Sequence, residues 1–173
     1  FNMSHNGTTL ENLNNLTDLE SFANNNFSRE LADLEVVINH FKTQKEVDSN
    51  HIILIGHSRG GGVSVIKASE NKNITKLITL ASISTLDRFP KNEAFENWKK
   101  DGVYYIEHAR TKQQLPHYFQ FFEDYENNKE RFDVEKACRN LTIPSLFIHG
   151  SADEAVESKH SENLHHWTKD SQF

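Results

Sequence analysis

A chain of 173 residues is long enough for one domain with a real core, and its net charge of −6, without any basic run, argues against nucleic acid or an anionic membrane as the main partner. No stretch approaches ~18 consecutive apolar residues, so no transmembrane segment is expected. Cys138 is the one cysteine, which excludes an internal disulfide and suits a small buried hydrophobe better than a reactive thiol.

The first sixteen residues are polar and rich in Asn, Gly and Thr, and read as a loop. Leu16 to Asn25 allows a short helix. A clearer one follows, with Ser28 as N-cap, Glu30 in the first turn, and Leu31, Leu34, Ile38 and Phe41 on one face, ending near Lys45. Asp48-Ser49-Asn50 turns the chain into the aliphatic run Ile52-Ile53-Leu54-Ile55, which stops abruptly at Gly56. His57-Ser58-Arg59-Gly60-Gly61-Gly62 comes next and leads into a helix that Asn71-Lys72-Asn73 terminates. Lys76 to Leu80 reads as a second buried strand, and strand–helix–strand with short turns implies a parallel unit.

Residues 82–142 have a different character, rich in charge and in aromatics such as Trp98, Tyr104, Tyr105, Phe119, Phe121 and Phe122. No strand of the main sheet is expected there, while Asn92 to Lys100 and Gln113 to Tyr125 look helical. Most of these aromatics are expected to pack a small helical core rather than line a pocket. Ile143 to Gly150 gives a third strand, entered through Pro144, and a helix from Val156 to Trp167 follows the loop Ser151-Ala152-Asp153-Glu154.

The stretch that organises the chain is Gly56-His57-Ser58-Arg59-Gly60. Strand, sharp turn and helix are the context in which Gly-x-Ser-x-Gly works as a nucleophile elbow: the turn strains the serine backbone and lifts its hydroxyl above the sheet. Side chains at Gly56 and Gly60 are expected to collide with the crossing strand and helix. A phosphate-binding loop is the alternative for a Gly-rich turn, but Ser58 stands where Gly-x-Gly-x-x-Gly needs its second glycine, and the phosphate-loop lysine is absent. Ser58 is therefore the candidate nucleophile. Arg59, whose N–H opens the helix, is a candidate oxyanion donor. Asp153 follows the third strand at the same sheet edge, in the chain order Ser…Asp, and is the candidate acid, with Glu154 and Glu157 as competitors.

Gly56-His57-Ser58-Arg59-Gly60-Gly61, Ile143-Pro144, His149-Gly150 and Asp153 together resemble the α/β-hydrolase family, in particular its dienelactone-hydrolase-like and serine-aminopeptidase-like members. The resemblance implies a partial α/β-hydrolase fold: a parallel sheet with flanking helices and a helical cap insertion. Residues 1–81 and 143–173 would be the core, incomplete at both ends, and residues 82–142 the cap. Residues 51–55, 76–80 and 145–149 would be the family's fifth, sixth and seventh strands. The catalytic His of the family follows the eighth strand and so is not in this chain, and the second oxyanion donor is expected upstream of Phe1. The edge of strand 51–55 would then be unpaired, an aggregation hazard. His165 and His166 are expected at a solvated helix end, and His57 is expected to be structural. His160, His165 and His166 lack the pairing of a helical zinc site, so no metal and no cofactor are expected.

The expected activity is that of a serine hydrolase cleaving an ester, with an amide as second choice, through an acyl-enzyme on a small-molecule substrate. The alternatives are a non-catalytic binding protein on the same scaffold and an acyltransferase. Because the chain opens on Phe1-Asn2-Met3 and closes on Ser171-Gln172-Phe173, it reads as an internal fragment, and by itself it is expected to be a poor catalyst, since loss of the base costs on the order of a million-fold. The expected location is cytoplasmic.

Overall fold

The computed structural model describes residues 1–9, 12, 15–108 and 111–173. The expected N-terminal loop therefore lies outside the described residues at positions 10, 11, 13 and 14. In chain order the elements are α1 (Leu19–Ala23), α2 (Phe27–Lys42), β1 (Ile52–His57), α3 (Arg59–Glu70), β2 (Ile74–Leu80), α4 (Glu93–Asp101), β3 (Val103–Glu107), β4 (Gln114–Tyr118), α5 (Gln120–Asn127), α6 (Val134–Asn140), β5 (Ser145–Ile148), α7 (Lys159–Trp167) and β6 (Ser171–Gln172). None of the described helices is long and apolar enough to cross a membrane.

The chain divides into two compact units, residues 1–34 with 88–128, and residues 35–87 with 129–173. The second holds a four-stranded sheet in the order β1-β2-β5-β6, parallel at every pairing. Each β-branched or aliphatic run alternates between faces. Leu54, Leu77, Thr79 and Phe147 point to the buried face, where Val63, Val65 and Ile66 of α3, Ala137 and Cys138 of α6 and Leu164 of α7 complete the core. The opposite face carries Ile53, Ile55, Leu80 and Ile148, all exposed. Among the described residues β1 lies at one edge of the sheet. Lys67, only 5 % exposed at its side chain, meets Glu35 at 3.1 Å and Glu70 at 3.8 Å; a buried ammonium needs such partners.

The first unit is built around aromatic rings. Phe27 and Phe121 lie 4.7 Å apart, Phe89 and Phe122 5.3 Å, and Phe95 and Phe122 4.7 Å, mostly tilted or edge-to-face as ring quadrupoles prefer. Trp98 is fully buried and its indole N–H donates to the His117 carbonyl at 2.8 Å. Gly102, with φ of +76°, closes α4 in the left-handed conformation that glycine adopts without strain.

Several elements differ from the sequence expectation. Helix α2 starts at Phe27, one residue before its expected cap; the Asn26 carboxamide accepts the Arg29 N–H, and Ser28 hydrogen-bonds Asp124 instead. Phe41 lies exposed rather than on the buried face. Residues 114–118, expected to be helical, form β4, antiparallel to β3, and the helix begins only at Gln120. Pro116 explains the break, since a two-stranded ribbon tolerates a residue without an N–H where a helix interior does not. Residues 129–140, expected in the insertion, belong to the second unit, where α6 packs on α3 and α7.

The Cys138 thiol is fully buried, and that burial pushes its pKa up to about 12. Native protein at pH 8 is therefore expected to be inert to a thiol reagent such as dithionitrobenzoate, and to release one equivalent after unfolding in guanidinium. Rapid reaction of the folded protein would contradict this packing.

Candidate active site

The bend between β1 and α3 sits at the carboxyl edge of the parallel sheet. Ser58 adopts φ 53° and ψ −122°, a conformation costly for any residue with a Cβ, and its side chain makes no capping hydrogen bond to α3 among the described residues. Its two peptide groups are held by the last residue of β2 and by the segment that follows it. The Ser58 N–H donates to the Leu80 carbonyl at 2.9 Å, and the Ser58 carbonyl accepts the Ile83 N–H at 3.3 Å and the Gly61 N–H at 3.0 Å. The strain is thus fixed by bonds on either side of the residue.

Glycines make the bend possible, though not the pair that the spacing suggested. A Cβ on Gly56 would stand 2.5 Å from the Gly60 carbonyl oxygen and 2.5 Å from the Ser64 hydroxyl, as expected. A Cβ on Gly60 would meet no atom within 4 Å, which corrects the expected collision there. Gly61 carries the constraint instead, because its Cβ would overlap the Ser82 side chain; Gly60 lies in the first turn of α3 and faces open space. Gly56→Ala and Gly61→Ala are accordingly expected to cost about 1–3 kcal/mol each. Gly60→Ala should be neutral or stabilise by up to about 1 kcal/mol. Thermal unfolding checks this, and a Gly60→Ala loss as large as that of Gly61→Ala would contradict it.

The strand register places Asp153 on the same rim. His57 pairs with Leu80, and Leu80 with Ile148, so β1, β2 and β5 end level, and Ser58 and Asp153 follow strands about 10 Å apart. Asp153 Oδ1 accepts the N–H groups of Ala155 and Val156 at 2.9 and 3.0 Å. These N–H groups, that of Val156 first, hold its carboxyl below the ordinary aspartate range; His149 and His57 add smaller electrostatic contributions in the same direction.

His149, which the sequence marked only as part of a motif, builds this loop. Its side chain is completely buried, with Nε2 2.8 Å from the Val156 carbonyl, Nδ1 2.7 Å from the Ser161 hydroxyl and Nε2 3.6 Å from Asp153 Oδ2. A carbonyl only accepts, so Nε2 donates to the Val156 carbonyl. His57 ends β1 exposed. Arg59 is the first residue of α3 and directly follows Ser58. His165 and His166 lie exposed at the end of α7, with His165 Nδ1 2.8 Å from the Ser171 hydroxyl. Glu154 and Glu157, the competitors of Asp153, are both exposed.

A parallel sheet, a strained serine between strand and helix, and a carboxylate two strands away at the same edge define an α/β-hydrolase fold. The family described as BAAT / acyl-CoA thioester hydrolase C terminal matches residues 31–167, and the chain belongs to it. No curated protein matches the sequence. Among solved structures, the chain is similar to Est1E from Butyrivibrio proteoclasticus with ferulic acid bound, at 21 % identity and a TM-score of 0.67, over 88 % of this chain and 59 % of that one. It is similar to a putative hydrolase from Agrobacterium vitis S4, at 17 % identity and a TM-score of 0.66, over 87 % and 59 %. A monoacylglycerol lipase from Paleococcus ferrophilus aligns at 14 % identity and a TM-score of 0.60, over 84 % and 62 %. The chain thus spans about three fifths of the length of the structures it resembles.

Proposed function

We propose that the protein containing this chain is a serine hydrolase that cleaves an acyl ester through an acyl-enzyme, with an amide as a second substrate class. Ser58 is the attacking hydroxyl, the Arg59 N–H is one oxyanion donor, and Asp153 orients the imidazole that takes the serine proton. That imidazole and the second oxyanion donor come from outside these residues. Of the residues 82–142 expected as the cap, 88–128 are the part that this reading keeps as a cap, since 82–87 and 129–142 belong to the unit that holds the sheet. The observation that supports it most is the Ser58 backbone, held at φ 53° with the side chain not spent on capping the helix. Oxygen esters and thioesters both fit, the latter from the description of the family that matches and the former from an esterase domain and a monoacylglycerol lipase of the same fold.

The chemistry balances in two steps. Ser58 Oγ bonds the acyl carbon as its proton passes to the imidazole, and the alcohol or thiol leaves with that proton; water then releases the acid and regenerates Ser58. A fluorophosphonate probe applied to the full-length protein is expected to label the wild type and not Ser58→Ala. Equal labelling of the two would remove the proposal.

A further inference from the structure

The contacts of the Ser58 backbone lead to a residue that no part of the proposed chemistry uses. The end of β2 and the segment after it hold both Ser58 peptide groups, through the Leu80 carbonyl and the Ile83 N–H. The same segment sets Ser82 against Gly61, and the Ile83 side chain and carbonyl close against Gly62. It is itself an unusual piece of backbone, since Ala81 has φ 46°. Something must hold it, because a non-glycine residue in that region persists only where its surroundings fix it.

Two anchors are visible. The Ala81 N–H donates to the Ile148 carbonyl at 2.8 Å, which ties the start of the segment to β5. Its other end is tied to α7: the Ser84 N–H reaches His160 Nδ1 at 3.1 Å, and the Ser84 hydroxyl lies 2.8 Å from the same nitrogen. A backbone N–H can only donate, so Nδ1 is an acceptor and carries no proton in this arrangement. Ser84 is only 7 % exposed, so its N–H has little water to turn to if that acceptor is removed. The next residue of α7, Ser161, holds His149 and with it the Asp153 loop. Adjacent positions of one helix therefore brace the segment behind Ser58 and the loop carrying Asp153.

We infer that His160 is a positioning residue for Ser58, acting through Ser84 and Ile83, so that α7 sets the serine and the carboxylate in one frame. This rests on the reading of Ser58 as the nucleophile. An acceptor at the place of Nδ1 is what the role requires; the imidazole as a base is not needed. Asparagine can put its carboxamide oxygen near that place, whereas leucine fills the space without an acceptor.

The test is the second-order rate of fluorophosphonate labelling in the full-length protein, at a temperature where circular dichroism shows each variant folded. His160→Leu is expected to label on the order of ten- to a hundredfold more slowly, as a displaced nucleophile does, and His160→Asn within about threefold of wild type. Amide exchange at Ile83 should quicken in the leucine variant and not in the asparagine one. A leucine variant that labels at the wild-type rate, whatever its melting temperature, overturns the positioning role. So does an asparagine variant as slow as the leucine one. If His160→Leu does not fold, His160→Val, which also removes the acceptor, takes its place: labelling slowed by about threefold or more supports the role, and an unchanged rate overturns it. Wild-type protein that is not labelled at Ser58 overturns the underlying reading as well, which separates the two failures.

Discussion

Alanine at position 58 is expected to lower turnover in the full-length protein by about a million-fold, the loss typical of removing the nucleophile from a unit that works only when complete. The fold should not register the change, because the bonds that hold residue 58 run through its N–H and carbonyl, to Leu80, Gly61 and Ile83. Glycine at the same position separates function from stability more sharply. With φ at 53°, Ser58→Gly relieves strain of about 1 kcal/mol or more and should raise the melting temperature while abolishing turnover. A Ser58→Gly variant that melts lower than wild type would mean that the bend is not strained. Retained turnover in either variant would mean that the hydroxyl is not the nucleophile.

The second large effect is expected at Asp153. Asp153→Asn keeps an oxygen to accept the Ala155 and Val156 N–H groups, so the loop can stay in place while the charge is lost. Turnover is expected to fall by about ten thousand-fold, the loss measured when a triad acid is neutralised in place. The pH dependence follows from the direction of its pKa. A carboxylate whose folded pKa is depressed contributes stability that is fully present above its unfolded value and is lost as pH falls through the folded one. Asp153 therefore stays ionised through the range of about pH 5 to 7, and an acid limb of activity there belongs to the imidazole. The check is a kcat/KM profile: Asp153→Asn should lower the whole curve. A limb that disappears with the aspartate would contradict the assignment.

The bend and its surroundings were legible in the sequence because they are local. An aliphatic run cut off by Gly56, a serine two residues on, and a helix that tolerates three glycines in its first turn constrain one another over a dozen positions. The three principal strands were legible for the same reason, since each is a short aliphatic run bounded by turn residues. What escaped was decided by contacts distant in the chain. Phe119, Phe121, Phe122 and Tyr125 extend a helical spacing back to Gln113, and only pairing with Val103–Glu107 turns residues 114–118 into a strand. Pro116 was the one local warning. Gly60 and Gly61 are equivalent on the page; which of them is tight depends on where Ser82 lies. The grouping of residues 1–34 with 88–128 has no sequence signal, since hydrogen bonds such as Gln113 to Leu16 and Gln120 to Asn25 join segments more than ninety residues apart.

The histidines show the same division. His165 and His166 were placed at a solvated helix end by their neighbours, which is where they are. His149 and His160 were marked only as a motif letter and as a rejected metal ligand. Their roles come from Ser161, Val156 and Ser84, partners that no spacing rule reaches. An aspartate two and three residues before the N–H groups it binds is a local turn signature, and it was the one available hint that Asp153 is held in place.

The most direct measurement is the mass of the acyl-enzyme. Full-length protein quenched in acid during turnover of a chromogenic ester or thioester, then digested and sequenced by mass spectrometry, should carry the acyl group on the peptide containing Gly56 to Gly62, at Ser58. An acyl group found on any other residue, or turnover with no acylated peptide, would contradict the account.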